Sequence, residues 1–71
     1  MITVEQIALL RIGDTVYEDF ISVLREADTK SGKPRYRVLA DDRETPLLRG
    51  SVGAYSAFGA MKYVSWLRKE L

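Results

Sequence analysis

Asp14-Thr15-Val16-Tyr17-Glu18-Asp19-Phe20-Ile21-Ser22-Val23-Leu24-Arg25-Glu26-Ala27-Asp28 can be read in two ways, and the choice between them decides the fold. As a helix, Tyr17, Phe20, Ile21 and Leu24 fall at i, i+3, i+4 and i+7, and Thr15 with Glu18 makes a capping box. As a strand, Thr15, Val16, Tyr17, Phe20, Ile21 and Val23 are the β-branched and aromatic types that suit a pleated surface. The next residues break the tie. Thr29-Lys30-Ser31-Gly32 is rich in turn formers, and Arg35-Tyr36-Arg37-Val38-Leu39-Ala40 alternates as a strand does. Folding the chain at that turn sets Glu26 opposite Arg35, an opposite-charge cross-strand pair. Ile21, Val23 and Ala27 then share a face with Tyr36, Val38 and Ala40. The hairpin is therefore the favoured reading.

Outward from the hairpin, Thr3 to Leu10 reads as a short helix, with Thr3 capping and Gln6 completing the capping box. Val4, Ile7, Ala8 and Leu10 give it an apolar side, and Gly13 supplies a stop. On the far side, Asp41-Asp42-Arg43-Glu44 is a polar turn. Pro46-Leu47-Leu48-Arg49 can supply a short third strand, with Pro46 at its start or edge. Ser51 to Gly53 lead into a helix from Ala54 through Leu71. Its apolar side gathers Ala54, Ala57, Phe58, Ala60, Met61, Val64, Leu67 and Leu71. Arg68 falls at the margin of that side, where its stem can snorkel outward. Gly59 allows close approach to a sheet. The expected architecture is α+β: a short N-terminal helix, a two- or three-stranded antiparallel sheet, and a long C-terminal helix packed on the sheet.

Seventy-one residues form one domain spanning 1–71. At this size one core rarely supplies more than about 3–5 kcal/mol, and small domains usually add a staple. With no Cys and no His, the chain can form neither a disulfide nor an ordinary structural zinc site. Dense packing or self-association must serve instead. A hydrophobic fraction of 46% argues against disorder, and a net charge of +1 gives no strong whole-molecule attraction to nucleic acid or anionic membrane. No apolar run reaches membrane-spanning length, and Met1 to Ile7 lacks the basic and apolar regions of a signal peptide. A cytoplasmic protein is expected.

Catalysis is hard to assemble from these residues. The most frequent general base and the readiest nucleophile are both missing, and no phosphate loop, dinucleotide fingerprint or nucleophile elbow occurs. No cofactor is implied. Asp41, Asp42 and Glu44 lack the spacing of a calcium loop and read as solvated turn carboxylates, so no metal site is assigned. Two features remain. Tyr55, Lys62, Tyr63 and Trp66 fall on the back of the C-terminal helix, where rigid rings beside a lysine are typical protein-interface anchors. The bland reading is that the first helix packs there and buries them. Lys30, Lys33, Arg35 and Arg37 cluster around the hairpin tip, with Arg43 and Arg49 nearby in sequence. The two arginines project from one face and would suit phosphate contacts. The bland reading is a solvated sheet face with a blunted edge.

Thr3-Val4-Glu5-Gln6-Ile7-Ala8 and Asp14-Thr15-Val16-Tyr17 resemble the excisionase-like winged helix-turn-helix family. That resemblance implies a second helix starting at Tyr17, Phe20 and Ile21, a wing from Arg35 to Leu48, and a capping helix carrying Ala60 to Tyr63 and Trp66. Two departures count against it: the turn is shorter than the family's, and Asp14, Glu18 and Asp19 would repel phosphates. The strand–strand–strand–helix order is also similar to double-stranded RNA-binding domains and to the arm-binding domains of integrases. The basic helix start of the former is missing from Ser51 to Ser56. No membership is assigned. The expected function is a non-enzymatic protein-interaction module, a small regulator or inhibitor of phage or plasmid type. It would bind a larger protein partner or form a homodimer. The alternative is a small DNA-binding protein of winged-helix type that uses the basic hairpin.

Overall fold

A computed structural model describes residues 1–41 and 49–70. Helix α1 (Val4–Ala8) is followed by strands β1 (Thr15–Glu18), β2 (Ile21–Glu26), β3 (Arg35–Asp41) and β4 (Arg49–Ala54), then helix α2 (Ala57–Glu70). The strands form one antiparallel sheet in the order β1-β2-β3-β4. This is the expected α+β class with a larger sheet: four strands, not two or three. The extra strand at the front is the ambiguous stretch before Phe20. Val16 pairs with Val23 and Glu18 with Ile21 across a two-residue reversal at Asp19 and Phe20. Asp19 has φ +51, a left-handed conformation that Asp tolerates and that a continuous right-handed helix forbids. The residues that a winged-helix reading makes its second helix are thus strands β1 and β2, and that alternative fold is not formed.

The central hairpin has the expected register, with Glu26 opposite Arg35 and Val23 opposite Val38. Its turn is closed by Thr29, whose backbone N–H donates to the Lys33 carbonyl at 2.8 Å and whose Oγ1 accepts from the Lys33 N–H at 3.0 Å. Ala27 lies beyond the end of β2 and is exposed, so it does not join the inner face. The other extra strand replaces the expected helix start. Residues 49–54 pair with β3, setting Ala54 opposite Tyr36 and Val52 opposite Val38. The helix begins three residues later than expected, where the Ser56 hydroxyl accepts from the Gly59 N–H at 2.9 Å as an N-cap. The tight approach at Gly59 is to that hydroxyl: a Cβ there would stand 3.1 Å from it. Pro46 to Leu48, expected in a third strand, lie outside the described residues.

Alternation sorts the sheet into two faces. Val16, Ile21, Val23, Tyr36, Val38 and Ala54 point toward the helices. Thr15, Tyr17, Ser22, Leu24, Arg35, Arg37, Leu39 and Ser51 point the other way, where no described helix lies. The core consists of Ile2, Ile7, Ile21, Val23, Tyr36, Val38, Ala54, Ala60, Val64 and Leu67, and it contains no buried polar or charged residue among those described. α1 packs on α2, not flat on the sheet. Its cap is the expected capping box between Thr3 and Gln6, although only Val4 to Ala8 are helical.

Candidate interaction surfaces

α2 turns its residues by about 100° each, so Ala60, Val64 and Leu67 fill one arc against the sheet. On the outside of the helix, Phe58, Lys62, Ser65 and Lys69 follow at i, i+4, i+7 and i+11 in one nearly straight stripe. Trp66 flanks the stripe on one side. Met61 flanks it on the other, next to Val4 from α1. Together these residues line a groove of roughly 410 Å³. Phe58 is 71% exposed and Trp66 54% exposed, high values for two large rings on one helix. Phe58 was expected in the core. It stands two positions before Ala60, about 200° around the helix, and that phase turns it off the buried arc.

The four aromatic-face candidates are therefore divided. Lys62 and Trp66 share the groove. Tyr63, 39% exposed, is turned about 60° beyond Trp66 toward the opposite flank. Tyr55, 65% exposed, sits in the link between β4 and α2. The first helix does pack on α2, yet it does not bury these rings. Ile2 and Ile7 go into the core, while Val4 only forms the groove's rim.

The basic cluster is also divided. Lys30 and Lys33 are exposed on the β2–β3 turn. Arg35 and Arg37 stand on the open sheet face, as expected, but Glu26 stands between them. Its Oε1 accepts from Arg37 Nε at 3.2 Å and lies 3.8 Å from Arg35. Arg37 is further tied through Nη1 to the Ser51 hydroxyl at 3.1 Å. One carboxylate shared by two arginines cancels part of their field. Arg25, facing the other way, ion-pairs with Asp28 at 2.7 Å and lies 5.3 Å from the centre of the Tyr36 ring. Arg43, Asp42 and Glu44 lie outside the described residues.

The strongest electrostatic feature was not anticipated. Arg68 does not snorkel to solvent. It turns toward β1, where its guanidinium donates to both carboxylate oxygens of Glu18, through Nε at 2.7 Å and through Nη2. The same Nη2 donates to the Ile2 carbonyl at 2.6 Å, and the Ile2 N–H donates back to Glu18 at 2.7 Å. The Arg68 hydrogen bonds hold the Glu18 carboxyl down to about 2 from 4.5, helped by the Ile2 N–H and opposed by burial. The Arg68 guanidinium is raised in turn. Glu18 and Arg68 are fifty positions apart, so no local pattern in the chain points to their pairing.

Among the described residues, no three acidic, His or Cys side chains converge to hold a metal ion, and no helix is long and apolar enough to cross a membrane. No protein-family model, no curated protein and no solved structure matches the chain.

Proposed function

We propose that this domain is a non-enzymatic protein-interaction module whose contact surface is the outer groove of α2, acting as a small regulator or inhibitor by occupying a larger protein. The observation that carries this reading is that exposed Phe58 and Trp66, about two turns apart on α2, line one open site with Met61 and Val4. Large rings left in water next to an apolar rim are the usual anchors of an interface, because they bury much area while freezing few rotors. A domain this small gains nothing in stability from leaving them uncovered. The DNA-binding alternative rests on Lys30, Lys33, Arg35 and Arg37. It is weakened by Glu26, which takes up charge that phosphates would have to meet.

The test is affinity capture from host lysate in nuclease-treated and untreated arms, with the native chain, Phe58→Ala/Trp66→Ala, and Arg35→Glu/Arg37→Glu. The interaction reading expects a protein captured in both arms and lost with the ring variant alone. Nucleic acid captured by the native chain and lost with the arginine variant would establish the alternative instead. Both variants change exposed or half-exposed side chains, so circular dichroism should show an unchanged fold.

A further inference from the structure

The groove carries charge along its length as well as apolar flanks. Lys62 and Lys69 stand one heptad apart on the stripe between the Trp66 side and the Met61 side. Seven residues at about 1.5 Å each place their Cα atoms roughly 10 Å apart along the helix axis. Both are exposed, and neither has an ion pair among those seen in the described residues. Ser65, halfway between them, is small and half-buried. It leaves a dip in the stripe where a side chain from outside can enter between the two lysines. A partly apolar site along a helix, with one cation a turn in from Phe58 and a second at its C-terminal end, is complementary to another helix that carries apolar anchors on one side and carboxylates two turns apart. The only acidic residue on α2 is Glu70, which falls about 100° around the helix from Lys69 and does not neutralise the stripe.

From these features we propose that the occupant of the groove is an acidic amphipathic helix of the partner protein. It would lie along α2 with its apolar side on Phe58, Met61 and Trp66, and with carboxylates at i and i+7 reaching Lys62 and Lys69. This rests on the reading of α2 as the contact surface and adds the chemistry of what it contacts. Helix-in-groove recognition uses anchors at i, i+3, i+4 and i+7, a spacing that two turns of α2 match. The two lysines set orientation and rate of encounter more than affinity.

Trp66 is the only tryptophan in the chain, so its emission reports directly on the groove. The probes are three synthetic tryptophan-free helical peptides of about four turns. One has Leu and Phe anchors with Glu at i and i+7, the second has Lys in place of each Glu, and the third has Ala in place of each anchor. Titration at low ionic strength should blue-shift Trp66 with the acidic peptide. The lysine peptide should bind about tenfold or more weakly, the sum expected of two exposed ion pairs replaced by repulsion. The Ala-anchor peptide should not bind. Lys62→Glu/Lys69→Glu should invert the preference between the first two peptides, and salt should reduce the difference.

Equal binding of acidic and basic peptides, unchanged by the double reversal, would overturn the acidic-helix proposal while leaving the groove as an apolar contact surface. Failure of all three peptides to shift Trp66 would also overturn it, and the capture experiment with Phe58→Ala/Trp66→Ala would still decide the broader reading. A concentration-dependent dimer in sedimentation that Trp66→Ala dissolves would assign the groove to a second copy and overturn it as well.

Discussion

Replacing Glu18 by Gln should destabilise the domain in a pH-dependent way. The side chain keeps its shape and part of its hydrogen bonding, but it leaves the Arg68 guanidinium without a counter-charge in a site where the two side chains are 13% and 24% exposed. A carboxyl lowered from 4.5 to about 2 corresponds to an upper limit of roughly 3 kcal/mol at about 1.4 kcal/mol per pH unit. Residual solvent access screens the pair, so about 2 kcal/mol is the expected loss near neutral pH. For a domain of this size that is a fall in Tm of about 8–16 °C. The sign follows from the lowered folded-state pKa. The unfolded chain takes up a proton near 4.5 and the native state only near 2. The contribution is therefore complete above about pH 5 and declines as pH falls through 4.5 toward 2. Urea unfolding followed by circular dichroism at pH 7, 4 and 3 measures it. The native chain should exceed Glu18→Gln by about 2 kcal/mol at pH 7, and the gap should narrow steadily with acid. Equal stability at pH 7 would refute the clamp. A gap that stays constant down to pH 3 would show that the loss came from packing and not from charge.

Ile7→Ala should cost about 2–5 kcal/mol while Leu9→Ala stays within about 0.5 kcal/mol, because Ile7 is fully buried and Leu9 is 82% exposed two residues on; paired denaturation curves check this. Ser56→Ala removes the N-cap of α2 and should lower stability by about 1 kcal/mol in the same assay. Trp66→Ala and Phe58→Ala should leave the urea midpoint nearly unchanged, since both rings are mostly in water already. Arg37→Gln should weaken the tie between β2, β3 and β4, seen as faster hydrogen exchange at Ser51 and its neighbours.

The centre of the fold was legible because two independent signals agreed there. The turn formers from Thr29 to Gly32 and the alternation from Arg35 to Ala40 both specify a hairpin, and the Glu26–Arg35 pairing sets the register that β2 and β3 adopt. The ends of the sheet were not legible, for different reasons. β1 has only four residues and carries the polar Glu18 on its inner face, so its alternation is spoiled by the residue that later proves to be clamped. β4 contains Gly50 and Gly53, poor strand formers, and Ala54, which reads equally well as the first residue of a helix. Pairing with β3 overrides these weak local preferences. The groove was half legible. The phase of α2 places Lys62 and Trp66 outside from sequence alone, but an apolar residue such as Phe58 is assigned to the core by default until the arc is known to be narrow. Met61 and Val4 could not be added without the packing of α1.

The Glu18–Arg68 clamp connects stability to the groove. A chain without Cys or His needs some other long-range tie, and here a single carboxylate holds three parts of the molecule: β1 through its own backbone, the C-terminal turn of α2 through Arg68, and the segment before α1 through the Ile2 N–H. Ile2 is two residues before Val4, and Val4 forms the rim of the groove. The clamp therefore ties the segment that leads into α1 to the last turn of α2, although none of its charged groups lines the groove. Glu18→Gln should accordingly weaken binding of an amphipathic helix even under conditions where the variant is fully folded, through a faster off-rate. Trp66→Ala should act on the same off-rate without changing stability. Stopped-flow dissociation at low temperature on the two single variants and on their combination separates these effects. If Val4 and Trp66 grip one ligand from opposite sides, the combination should lose less than the sum of the single effects, because a ligand no longer held by Trp66 gains little from a correctly placed rim. Strict additivity would mean that the clamp stabilises the fold and has no part in shaping the groove.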